Sequence, residues 1–246
     1  MISFEKKFIF MHIPKTGGTS VERSVLEPYA YYFERDRENI LMEKHFSSFM
    51  DKNKNYDQED GAFVDKVDKH FTVESYYTAF TNQEDFDNYF DRESLANVNS
   101  NPLDHFYKFT IVRNPWDKLV SHFLMIATEF NQDNFRDYIS SFLGGSHKKV
   151  QRDYFKEGEI NLNLFPQSVW IRDLKVFDKI IRFENLNQGF KEVCLDLEIE
   201  HQELPHLNKQ EGRLHYSEYY DDETKAMVEH AWGDDIKLFG YKYETV

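Results

Sequence analysis

Unbroken apolar runs and amphipathic stretches alternate along much of this chain. Residues 8–13 are apolar except for His12, rich in Ile and Phe, and stop at Pro14. Such a run predicts a strand buried on both faces of a parallel sheet. A loop with two glycines follows, then residues 19–26, where Val21, Val25 and Leu26 share one helical face. The order repeats at 106–112, a second buried strand. There Asn114 caps a helix, Pro115 suits its first turn, and Trp116, Leu119, Val120, Phe123 and Leu124 make its apolar face. A third strand is predicted at 176–183, with Asn187 capping a helix to about Leu197. Further helices are predicted over 134–143, stopped by Gly144 and Gly145, and over 223–238, weakened at Gly233. Three buried strands, each followed by a helix, predict a layered α/β fold with a central parallel sheet. Ligands in such folds bind at the carboxyl ends of the strands.

Residues 51–104 break this pattern. They are dense in Asp, Asn, Lys and Tyr and have no clear period. They read as an insertion of short helices and loops, either an acceptor-side lid or a solvated spacer. The 246 residues are otherwise enough for one α/β domain over 1–246, and 23 Phe with 15 Tyr supply a large core.

The formal charge is −14. An acidic surface argues against nucleic acid or an anionic membrane as the general partner. It also means that an anionic ligand must be held by a few local cations and backbone N–H groups. Cys194 is the only cysteine. It allows no internal disulfide and no cysteine-based zinc site, and it reads as a buried helix position. No stretch approaches the ~20 apolar residues of a membrane span, and the run at 8–13 is too short for a signal-peptide core. The expectation is a soluble, cytoplasmic protein with no membrane insertion.

Two segments at predicted strand ends carry the chemistry. The first is His12-Ile13-Pro14-Lys15-Thr16-Gly17-Gly18-Thr19-Ser20. Gly17 and Gly18 allow close approach of the backbone to an anion and a positive φ. The next helix offers unpaired N–H groups, Lys15 a point charge, and Thr16, Thr19 and Ser20 hydroxyls. Together they make a phosphate cradle. Its spacing is not that of the nucleoside-triphosphate loop, because Lys15 precedes the glycines and no glycine stands four residues upstream. The second segment runs from Ile111 to Phe123. Arg113 ends the strand and Ser121 lies about two helical turns on. A guanidinium with a hydroxyl suits a terminal phosphate. Taken alone, the same two residues read slightly better as a salt-bridge partner and a helix-surface hydroxyl.

The two segments in this order resemble the sulfotransferases that use 3′-phosphoadenosine-5′-phosphosulfate (PAPS), in particular the carbohydrate sulfotransferases that include heparan sulfate 2-O-sulfotransferases and bacterial members. Residues 13–20 look like that family's 5′-phosphosulfate loop, and 112–118 with Ser121 like its 3′-phosphate motif. Supporting likeness lies at 182–186, 204–208, 216–222, 234–236 and 239–241. The resemblance implies a P-loop NTPase-like three-layer fold and transfer of a sulfuryl group from PAPS to a hydroxyl, with adenosine 3′,5′-bisphosphate (PAP) as product. It implies that Lys15, Thr16, Gly17, Gly18, Thr19 and Ser20 hold the 5′-phosphosulfate and that Arg113 and Ser121 hold the 3′-phosphate. Residues 208–213 are expected to close over the donor, with Lys209 and Arg213 as cations that no residue-level match assigns.

In-line sulfuryl transfer builds charge on the oxygen between sulfur and phosphorus, so Lys15 is the natural catalytic cation. Nothing in this chemistry requires a metal, and the sequence holds no ligand cluster for one. For the base that activates the acceptor hydroxyl, ten histidines compete. His12 sits in a strand, His122 on an apolar helix face, and His206 in a loop. His45, in Met42-Glu43-Lys44-His45-Phe46-Ser47, matches the family's Lys-His pair and is the leading candidate, although Phe46 replaces a small residue. The acceptor class implied is a glycan or small saccharide. Two other readings remain at this point. A nucleotide kinase would need a Mg²⁺ site, and a non-catalytic PAP-binding module would transfer nothing.

Overall fold

The computed structural model describes residues 1–3, 5–29, 105–127, 130–143, 155–156, 159–160, 166–171, 173–205 and 212–246. The three apolar runs form one sheet. β1 (Ile2–Ser3) lies antiparallel to β2 (Phe8–Met11). β2 pairs parallel with β3 (Tyr107–Val112), and β3 pairs parallel with β4 (Lys179–Arg182). Every residue of β2 is buried, as is β3 from Lys108 onward, which is why neither run alternates polar and apolar residues. Phe10 sits opposite Phe109 with ring centroids 4.9 Å apart. The buried hydroxyl of β3 is satisfied, since Thr110 donates to the Met11 carbonyl at 2.8 Å. A two-residue antiparallel pair, Phe155–Lys156 with Glu159–Ile160, stands outside this sheet.

Each parallel strand leads through a turn into a helix: α1 (Gly18–Glu22), α2 (Pro115–Ile126) and, beyond α3 (Gln132–Leu143), α4 (Leu186–Asp196). The Asn114 side chain accepts from the Trp116 N–H, with Pro115 in the first turn, as predicted. The cap of α4 differs from expectation. Asn187 lies inside the helix, Asn185 takes the cap position without a side-chain bond, and a 3₁₀ turn (Phe183–Asn185) starts it instead. The stretch predicted as one helix over 223–238 is two, α5 (Asp222–Ala231) and α6 (Gly233–Phe239), broken where Trp232 leaves helical geometry. Asp221 and Thr224 close a capping box at the start of α5.

Two cores result. Phe8, Phe10, Phe109, Ile111 and Ile181 pack with Val21, Phe190, Val193 and Cys194 from α1 and α4. There α4 lies close on β4, because a Cβ on Gly189 would stand 2.5 Å from the Ile181 side chain. The second core joins α2, α3 and α5 through Trp116, Phe123, Phe135, Tyr220 and Trp232. The carboxyl ends of β2, β3 and β4 open onto one edge, where both motifs lie. Residues 51–104 and His45 fall outside the described residues, as do Gly144 and Gly145.

Candidate functional site

The loop after β2 takes the unusual backbone its sequence prepares for. Gly17 has φ 88° and Lys15, although not a glycine, has φ 67°, both left-handed conformations. The Thr16 hydroxyl is fully buried and donates to the Ile13 carbonyl at 2.7 Å, so it closes the turn. Gly18 is required for a reason the sequence did not suggest. The His12 ring occupies the space above it, and a Cβ there would stand 2.1 Å from that ring. His12 stacks on Phe10 and donates from Nδ1 to Glu22 at 2.8 Å, which holds both ends of α1 against β2. Gly17 in turn leaves room for the Phe183 ring, 2.9 Å from where its Cβ would be.

That ring is shared with Arg113, whose guanidinium lies 3.9 Å above its centroid. Arg113 is 3% exposed. Its Nε donates to Asp117 at 2.7 Å and its Nη1 to the Lys15 carbonyl at 3.0 Å. Its Nη2 is buried and has no hydrogen-bond partner among the described residues. The two motifs therefore meet, and Arg113 is the joint. Burial pulls the Arg113 pKa down and Asp117 opposes the shift.

The start of α2 at Pro115 places Asp117, Ser121 and Met125 one turn apart on one face. Asp117 takes Arg113 at one end of this stripe, and Met125 accepts from the Lys15 ammonium at 3.4 Å at the other. The partly buried Ser121 lies between them. Asp117 also binds Arg213. Beside the stripe lie Lys118 and His122, 1% and 2% exposed.

The result is a concentration of cations in a protein of net charge −14. Lys15 is held down to about 8, by burial first and then by Arg113 and Arg213. Lys118 is also lowered to about 8 by burial, with Asp235 opposing. His122 falls to about 4 through burial and then Lys15 and Lys118, so its imidazole is neutral at working pH. It bonds the Tyr138 hydroxyl at 2.8 Å, a packing role. This edge repels added positive charge and favours an anion.

The structure thus brings together Lys15, Thr16, Gly17, Gly18, Arg113 and Ser121, with Thr19 and Ser20 in the first turn of α1. It adds contacts to which the sequence reading gave no role. The acid four positions after Arg113 was visible as an i,i+4 pair in the sequence, whereas nothing there pointed to Gln167, whose side chain binds the Arg113 peptide. His45 cannot be set against this geometry, lying outside the described residues, as do Lys209 and His206. Among the described residues no group of three or more His, Cys, Asp or Glu could hold a metal ion, and no helix is long and apolar enough to cross a membrane.

A family model described as the sulfotransferase family matches residues 1–242. No curated protein and no solved structure matches the chain.

Proposed function

Because the chain belongs to the sulfotransferase family, we propose that its sulfuryl donor is PAPS and its acceptor a hydroxyl on a carbohydrate. Sulfuryl transfer in general comes with the family. The donor is argued from one observation: Arg113 is buried beside Lys15, and its Nη2 has no hydrogen-bond partner among the described residues. A buried guanidinium with an unused donor calls for an anionic acceptor. A 3′-phosphate is the group that sets PAPS apart from other adenine nucleotides with a 5′ anion.

In this reading Arg113 and Ser121 hold the 3′-phosphate, and Lys15, Thr16, Gly17, Gly18, Thr19 and Ser20 hold the 5′-phosphosulfate. Bound PAPS supplies the activated sulfuryl group and leaves as PAP after in-line displacement. Lys15 is the cation available to the charge that grows on the bridging oxygen, and its positive charge is worth most where other groups exclude water. His45 accepts the proton of the acceptor hydroxyl. The reading includes a P-loop-like α/β fold, no metal, and a cytoplasmic enzyme not inserted in a membrane.

The test is calorimetry with PAP and AMP, which differ by the 3′-phosphate, together with transfer of labelled PAPS to a saccharide pool. A lost charge-assisted bond costs roughly 1.5–3 kcal/mol, so Arg113→Ala should weaken PAP about ten- to over a hundredfold and leave AMP little changed. Equal losses for both nucleotides, or ATP acting as donor in place of PAPS, would overturn the reading.

A further inference from the structure

Gln167 has no chemistry of its own, yet it is fully buried at the edge of the site. It opens a 3₁₀ turn (Gln167–Val169) after Pro166. Its amide grips the Arg113 peptide from both sides. The Arg113 N–H donates to Oε1 at 2.7 Å, and Nε2 donates to the Arg113 carbonyl at 2.8 Å. A neighbouring strand would make that pair of bonds, but β3 and β4 stop pairing at Val112 and Arg182. Gln167 continues the ladder by one residue with a side chain that carries both a donor and an acceptor.

Asp235, also fully buried, decides how that amide faces. Its Oδ2 accepts from the Gln167 N–H at 2.7 Å and from Nε2 at 3.2 Å, and its Oδ1 accepts from the Ser168 N–H at 2.7 Å. Both Asp235 oxygens accept backbone N–H groups and Oδ2 also takes Nε2, which leaves Oε1 for the Arg113 N–H. On the far side Glu184 takes the Asn114 N–H at 2.8 Å.

We propose that Gln167 is a positioning residue for the donor's 3′-phosphate. It fixes the Arg113 peptide and so the direction of the guanidinium over Phe183, while Asp235 fixes the orientation of the Gln167 amide. This rests on the phosphate role given to Arg113 above.

Gln167→Met keeps the length and volume and removes both bonds. PAP and AMP are titrated calorimetrically against the wild type, Gln167→Met, Arg113→Ala and the double variant. PAP should weaken about tenfold or more in Gln167→Met, the size of one lost charge-assisted bond to the phosphate, while AMP binding holds. In the Arg113→Ala background the same change should cost PAP nothing further, because its effect runs through the arginine. If Gln167→Met does not fold, Asp235→Asn replaces it. That variant keeps size and shape but turns one accepting oxygen into a donor, and it should give a smaller loss with the same preference for hurting PAP. A folded variant whose PAP and AMP affinities change in equal proportion, or not at all, sinks the proposal. A wild type that binds PAP no better than AMP would instead remove the phosphate role of Arg113, and this inference with it. The two failures are thus told apart by the wild-type titration.

Discussion

Lys15 should make donor binding depend on pH in a direction that the structure sets. In the free protein its ammonium is lowered from the ordinary 10.5 to about 8, by burial and by Arg113 and Arg213. A phosphate dianion reverses that repulsion and holds the proton on. The charged form is the binding form, so PAP affinity should be level well below pH 8 and fall as pH rises through it. Between pH 7 and 9 the protonated fraction drops about tenfold, and PAP affinity should drop by the same factor. If binding returns the ammonium to its ordinary value, the total fall levels off at about 300-fold. Calorimetry in buffers of different ionisation enthalpy checks this, because proton uptake should approach one per PAP by pH 9. Lys15→Arg keeps the charge and should flatten the profile. Lys118, also near 8, is the other group that titrates here, and any slope left in Lys15→Arg is its share. A wild-type affinity unchanged between pH 7 and 9, or an identical fall in Lys15→Arg, would refute the argument. The stability of the free protein should move the opposite way. The folded-state value lies below the unfolded one, so the penalty is complete below about pH 8 and is relieved as pH rises towards 10.5. Lys15→Met should therefore melt higher than the wild type while losing donor affinity.

Two further outcomes are expected. Gly18→Ala should abolish PAP binding by driving a Cβ into the His12 ring, and His12→Ala in the same chain should restore part of it. Calorimetry on the single and double variants decides, and a Gly18→Ala protein that binds normally would show that the space is not needed. His45→Ala and His45→Gln should lose turnover by about 10²–10⁴-fold, the usual contribution of a positioned base, with PAP affinity unchanged. Near-wild-type transfer across a pH series would move the base elsewhere, with His206 the next to test.

The strands were legible because they are buried on both faces and so read as continuous apolar runs. The two motifs were legible because glycines, hydroxyls and a cation stand close together after apolar strands, and the structure brings Lys15 and Arg113 to one edge. Helix boundaries were less so. Asn187 and Asn185 are both plausible caps by type, and only the 3₁₀ turn at 183–185 decides between them. Gln167 and Asp235 were illegible because their work is done by side chains 54 and 68 positions from their partners, and no local period records such a contact. A further use of Gly18 was hidden for the same reason. Its missing Cβ makes room for His12, a neighbour from the strand, where the loop alone suggested room for an anion.

The turn at 113–114 is anchored far down the chain. The Asn114 side chain donates to the Lys242 carbonyl, 128 positions away, and Trp116 meets Tyr243 edge-on. Asp235 anchors Gln167 from the same region. During translation β2, the loop after it and α2 leave the ribosome long before these partners exist. Domains fold as they emerge, at about 5–20 residues per second, so the early segments wait several seconds or more for the groups that fix them. A chain stalled short of residue 235 would carry both motifs intact and still lack a set Arg113. Retention on immobilised PAP would then sort ribosome-released chains by whether synthesis had passed the residues that lock the turn.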